Sequence, residues 1–233
     1  MTIHANELTI EKIRYHLDQF SREPETPPYP EFIYPSELLP DAPRPAAVLM
    51  ALLWKDDCWQ LLFTRRTSHL AEHSGQVAFP GGRSDPEDNG PVSTALREAN
   101  EEIGLDPDQV QILGRLQPFI TITNYQVTPV VGWIPWPIPL SLSPTEVSRA
   151  FTIPLTWLCE PANHVYQQRS LPPPYGTVSV IYFKEYDGEV LWGASARFTI
   201  TFLETIECLQ PYDEKNVEIV IRKNWAQNAQ FYV

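Results

Sequence analysis

Between Pro91 and Gly104 the sequence is punctuated as a helix at both ends, and no other segment constrains the fold as much. Pro91 suits a first helical turn, where its missing N–H is no loss, and Gly104 suits the position just past the last turn. Val92, Ala95, Leu96, Ala99 and Ile103 recur at i, i+3, i+4, i+7 and i+11, the stripe of a helix that packs by one face. Glu98, Glu101 and Glu102 form a second group which, at about 100° per residue, centres roughly 120° from the stripe. Like charges at these spacings repel by about 0.2–0.5 kcal/mol per pair. Two of them also lie beside the negative end of the helix. A solvated acidic face is one reading. The other is a divalent cation, since hard ions such as magnesium take carboxylate oxygens and leave positions for water and substrate phosphates. That second reading predicts metal-assisted phosphoryl chemistry.

The 233 residues, 43% of them hydrophobic, suffice for one sizeable core and predict one domain or a domain with an extension. Residues 7–20 place Ile10, Ile13, Leu17 and Phe20 at helical spacing, and prolines crowd residues 24–45, which suits an extended connector. The expected division is an N-terminal helix and proline-rich extension over 1–45, a catalytic domain over 46–210 and a tail over 211–233. Within the domain, residues 46–54 and 58–64 read as strands joined near Lys55, Asp56 and Asp57, with further strands across 112–121 and 127–134. Prolines between Pro135 and Pro144 mark a loop, and Ser143 or Thr145 is placed to cap a short helix containing Glu146. A hairpin is expected from residues 165–168 and 177–184 around a tip at Leu171, Pro172, Pro173 and Pro174, placed to lie over the substrate mouth, followed by an apolar helix over 194–207. The sum is an α/β (α+β) protein with a mixed sheet and helices on its faces.

The longest apolar run, residues 46–54, is too short to span a bilayer, and the N-terminus lacks the order of a signal peptide. The expectation is a soluble, cytoplasmic protein that engages no membrane. Cys58, Cys159 and Cys208 are widely spaced among apolar residues and predict reduced core thiols rather than disulfides or a zinc site. A net charge of −12 argues against nucleic acid, whose binding needs a basic surface to displace counterions. Yet Arg65, Arg66, His69, His73, Arg83 and Arg97 gather near the glutamates. Arg65, Arg66, His73 and Arg83 are therefore the candidates for binding substrate phosphates, against the alternative that they pair with nearby carboxylates.

Phe79, Pro80, Gly81 and Gly82 precede the helix, and Arg97, Glu98, Glu101, Glu102 and Gly104 reproduce R-E-x-x-E-E-x-G. Together they resemble the signature of the Nudix hydrolases. Asn89 stands where the usual box has a glutamate, and Asp88, before Asp85, is the carboxylate available to replace it. Further upstream, Phe63, Thr64, Arg66, His73, Gly75, Gln76, Val77, Phe79, Pro80, Gly81 and Gly82 resemble the coenzyme A pyrophosphatase branch of that family, with Ala71 at a place where relatives often have arginine. The likeness continues through Tyr125–Val130, Glu146 and Trp192–Ala196.

The resemblance implies a Nudix α/β/α sandwich that hydrolyses the diphosphate of coenzyme A or its derivatives to 3′,5′-ADP and 4′-phosphopantetheine. Another nucleoside diphosphate derivative, ADP-ribose or a dinucleotide, is the alternative substrate. It further implies that Glu98, Glu101 and Glu102 hold Mg2+ or Mn2+ with the Gly81 carbonyl, that Arg97 orients the glutamates, and that Glu98 or Glu146 is the general base. The expected partner is a small-molecule nucleotide, and the sequence is compatible with a homodimer. Two rivals come from other classes. His69, Glu72 and His73 match a zinc-peptidase pattern, although Ser74 and Gly75 end any helix there at once. A noncatalytic binding module on the same scaffold is the other, and the intact glutamates argue against it.

Overall fold

Strand β1 (Arg44–Lys55) is apolar on both sides over most of its length and has to be covered on both. The structure, a computed structural model that describes residues 4–22, 42–68, 75–121, 123–170 and 177–210, sets it inside an eight-stranded mixed sheet. Strand β2 (Cys58–Arg66) folds back on β1 through Asp56 and Asp57, whose φ values of 50° and 57° give the two-residue hairpin turn that matches strand twist. Short strands β3 (Val77–Ala78) and β4 (Gly81–Arg83) pair with β2 and β1. Strand β7 (Tyr125–Trp133) runs parallel to β1, with β5 (Gln111–Arg115) and β6 (Phe119–Ile120) antiparallel to it. Strand β8 (Val147–Pro154) pairs with β2, and β9 (His164–Ser170) with β10 (Thr177–Phe183) forms a separate two-stranded sheet.

Alternation along β1 divides the core. Ala47, Leu49, Ala51 and Leu53 join Ala95, Ala99 and Ile103 of helix α2 (Pro91–Ile103). Met50 and Leu52 join the other side, with Ile13 and Leu17 of α1 (Ile10–Arg22), Leu155 and Leu158 of α3 (Leu155–Leu158), and Phe198, Phe202 and Leu203 of α4 (Gly193–Thr205). This is the α/β/α sandwich with a mixed sheet between helices. The N-terminal segment is fastened as well as packed, because buried Trp59 donates its indole N–H to the carbonyl of Leu8 at 3.0 Å.

Two expectations are corrected here. Residues 112–121 are not one strand: β5 ends at Arg115 and β6 begins at Phe119, with Pro118, which has no N–H for a ladder, in the gap. Glu146 does not lie in a short helix. Residues 144–146 form a turn in which the amides of Glu146 and Val147 both donate to the Ser143 carbonyl, at 3.1 and 2.9 Å, and β8 follows at once. Pairing of β8 with β2 from Gln60 to Arg66 takes this stretch into the sheet, whatever its local capping signals. The three cysteines are free thiols, Cys208 buried and Cys58 and Cys159 half-buried. Most of the proline-rich connector, the tip at Leu171–Pro174, His69, Ala71, Glu72, His73 and the tail beyond residue 210 lie outside the described residues. Among the described residues no helix is long and apolar enough to cross a membrane.

Leu17 is fully buried where α1 meets the sheet. Leu17→Ala is expected to lower stability by about 2–5 kcal/mol, read as a shift of the urea midpoint with unchanged slope. A loss well under 1 kcal/mol would mean that α1 is not part of the cooperative unit.

Candidate active site

Helix α2 starts at Pro91 and stops at Gly104, whose φ of 66° is a left-handed cap that an L side chain rarely adopts. Val92, Ala95, Ala99 and Ile103 of its stripe pack into the core with β1, which leaves Glu98 and Glu102 against Gly82 and Gly81. Arg97 organises that loop. Its Nε and Nη2 grip Asp88 at 3.1 and 2.9 Å, Nη2 also donates to the Arg83 carbonyl at 2.9 Å, and Nη1 reaches Glu98 at 3.0 Å and Glu101 at 3.1 Å. The guanidinium of Arg97 holds the Asp88 carboxyl well below the usual carboxylate range. Asp88 thus fills the place for which Asn89 is unsuited, while Asp85 stands farther off at 3.8 Å.

The glutamates have unlike surroundings. Glu101 is exposed, whereas Glu102 is only 4% accessible, with one oxygen 3.4 Å from Arg66 Nη1 and the other accepting the Gly81 amide at 3.3 Å. Burial pushes the Glu102 carboxyl up to about 7, against the pull of Arg66 and the Gly81 amide, and the charges of Glu98 and Glu146 add to the rise. Glu98 is raised too, chiefly by burial, with Arg97 opposing and Glu101 and Glu146 reinforcing. Three carboxylates from α2 and the turn before β8 therefore share one desolvated region. Gly82 makes room for it: a Cβ there would lie 2.6 Å from the Glu98 carboxylate.

On the other side of the glycines is a cavity of about 610 Å³, largely apolar, lined among others by Val48, Val77, Phe79, Phe119, Tyr125, Trp192 and Phe198. Arg66, Arg83 and Arg197 supply its cationic margin. Gly81 and Gly82 line the cavity and also meet the carboxylates, Gly81 through its amide to Glu102 and Gly82 beside Glu98. A family model described as the NUDIX domain matches residues 43–163, which takes in β1, the glycine loop, α2 and β8. The chain belongs to the Nudix hydrolase family.

A Nudix hydrolase of Photorhabdus laumondii subsp. laumondii, named NudL and described as uncharacterized, is 40% identical over 162 residues, 70% of this chain and 84% of the relative. A protein of the same name from Yersinia pestis is 40% identical over 154 residues, 66% of this chain and 75% of the relative. Among solved structures, the Nudix hydrolase RenU of M. smegmatis aligns with a TM-score of 0.42 and 20% identity, over 48% of this chain and 70% of that one.

Nudix hydrolases use divalent metal ions. The donors here suit one in kind, since Glu98, Glu102 and Glu146 are hard oxygen ligands whose mutual repulsion a cation would relieve. Among the described residues the acidic, histidine and cysteine side chains are not already gathered into a three-ligand cage. Arg97 and Arg66 hold the glutamate oxygens instead.

Of the residues expected at the site, this Nudix hydrolase brings together Arg97, Glu98, Glu101, Glu102, Gly81, Arg66, Arg83 and Glu146. Arg65 stands apart from them. Successive strand residues point to opposite faces, so Arg66 meets Glu102 while Arg65 pairs at 3.4 Å with buried Glu189, which Arg149 also binds at 3.1 Å. His73 lies outside the described residues. Sequence reasoning missed Thr121 and Arg197, which line the cleft, and Arg44, which lies opposite the cleft residue Tyr125. Only Arg44 had a usable signal, as it continues the alternation of Ala46 and Val48.

The pH dependence of the metal-free protein follows from Glu102. Its folded pKa of about 7 exceeds the ordinary 4.5, so the favourable contribution is complete below 4.5 and is lost as pH rises through 7. Glu102→Gln lacks this loss. The stability difference between variant and wild type, from urea titrations in chelator, is expected to move in favour of glutamine between pH 4.5 and 7 and to level off above. A difference independent of pH would contradict the raised carboxyl.

Proposed function

We propose that this Nudix hydrolase cleaves the diphosphate of coenzyme A or its thioesters, giving 3′,5′-ADP and a 4′-phosphopantetheine product, with Mg2+ or Mn2+. One observation carries the reading. Gln76, Val77, Phe79, Gly81 and Gly82, within the segment that resembles the coenzyme A branch, form a wall of the apolar cleft directly beside Glu98 and Glu102. An amphiphilic substrate, with a diphosphate between a nucleoside and a long uncharged arm, suits a cleft that is apolar within and cationic at its margin.

Glu98, Glu101 and Glu102, with the Gly81 carbonyl, are the ligands for the ion, which when bound would neutralise the diphosphate and make water more acidic. Arg97 fixes Glu98 and Glu101 through one nitrogen and the loop through the others. Arg66 presents Nε, a buried donor with no partner among the described residues, as a place for a substrate oxygen. Arg83 faces the same cleft, and His73 is assigned to the substrate from the sequence pattern. Glu98 or Glu146 takes the proton of the attacking water. Arg65 is left to Glu189. The protein is taken to act in the cytoplasm.

ADP-ribose or a dinucleotide would meet the same carboxylates, so substrate identity needs a panel. With metal present, chromatography of the products is expected to show 3′,5′-ADP from coenzyme A, and Glu98→Gln is expected to lower kcat by about 100-fold or more. Rapid cleavage of ADP-ribose with coenzyme A intact would overturn the narrower reading. Unchanged turnover in the Gln variant would overturn the assignment of Glu98.

A further inference from the structure

Arg65, Arg66, Arg97 and Arg149 are each committed to carboxylates. Arg44 and Arg83 are not, among the described residues, and they share one face of the sheet. Arg83 lies opposite Ala46 and Gly81 opposite Val48, while Arg44 lies opposite Tyr125. Arg44, Ala46 and Val48 alternate onto the cleft side, and the two alanine and valine positions line the cavity. Gly82, beside Glu98, is level with Ala47, which puts the Arg44 backbone about 10 Å along the strand from the carboxylates, at some 3.3 Å per residue.

The Arg44 guanidinium is already posed. Its central carbon lies 4.0 Å from the centroid of the Tyr125 ring, a cation–π contact, and one Nη donates to the Thr123 carbonyl at 3.0 Å. These two contacts use one of its five N–H donors, and a guanidinium can bind phosphate by two parallel hydrogen bonds. Arg83 stands between Arg44 and the glycines, with its backbone carbonyl held by Arg97. A substrate whose diphosphate sits at the glycines would therefore find a second cationic place farther along β1.

We infer that Arg44, stacked on Tyr125, with Arg83 binds a phosphomonoester adjoining the diphosphate, the 3′-phosphate of the adenosine half of coenzyme A, and so selects the 3′-phosphorylated substrate. The inference rests on the coenzyme A reading above. It makes Arg44 a specificity residue that takes no part in breaking the bond. ADP-ribose and diadenosine polyphosphates, which carry no ribose phosphomonoester, have no group for it to hold.

The test compares coenzyme A with 3′-dephospho-coenzyme A, in wild type and in Arg44→Gln. The ratio of their kcat/KM values is expected to favour coenzyme A at least tenfold in wild type and to fall about tenfold in the variant, chiefly through KM on coenzyme A. Arg44→Lys should recover part of it. Calorimetry on wild type alone provides a second reading, with 3′,5′-ADP binding more tightly than AMP. Equal cleavage of the two coenzymes by wild type, or a ratio unmoved by the substitution, overturns the inference and leaves the diphosphate reading standing. Cleavage of ADP-ribose with neither coenzyme touched overturns both.

Discussion

Strand β1 is gripped on both faces, and the position of everything else follows from that. Its odd-numbered residues from Ala47 to Leu53 are sealed by α2, and Met50 and Leu52 by the α1 and α4 side. A slip of one residue would exchange those sets, so the register is held by the whole core. Against this fixed ruler β4 places Gly81, Gly82 and Arg83, and β7 places Tyr125. The cleft and the carboxylates are two sides of one strand arrangement, separated where glycine leaves no side chain between them.

Electrostatics then set what the helix face can tolerate. Glu98 and Glu102 are desolvated and close to Glu146, an arrangement that by itself disfavours their ionised forms. Two arginines offset it from different directions. Arg97 spreads one charge over Asp88, Glu98 and Glu101, while Arg66 serves only the most buried member. The asymmetry matters because Asp88 takes the strongest share of Arg97, which leaves Glu98 less well neutralised than its distance of 3.0 Å suggests.

Helix α2 was legible because its signals are local: a proline start, a glycine stop and a stripe between them. The replacement of Asn89 by Asp88 was legible from proximity to the expected position. Glu146 was expected in a short helix and lies in a turn, since Ser143 and Thr145 imitate a cap while distant pairing of β8 with β2 decides the outcome. Arg65 and Arg66 looked alike as neighbours in sequence, and strand alternation separates them. Arg44 continues the alternation of Ala46 and Val48, but its partner, Tyr125, reaches it only through a parallel pairing between segments far apart in the chain.

That parallel pairing has one more consequence. Two strands that run the same way cannot be joined by a tight turn, so the chain must leave the end of β1 and travel back before β7 can begin. The return route contains β4, the Arg97 loop and α2 itself. The carboxylate helix is part of that connection and also covers one face of β1 through Ala95, Ala99 and Ile103, so excising it to abolish chemistry would strip the core. Chemistry can be silenced in this molecule only one side chain at a time.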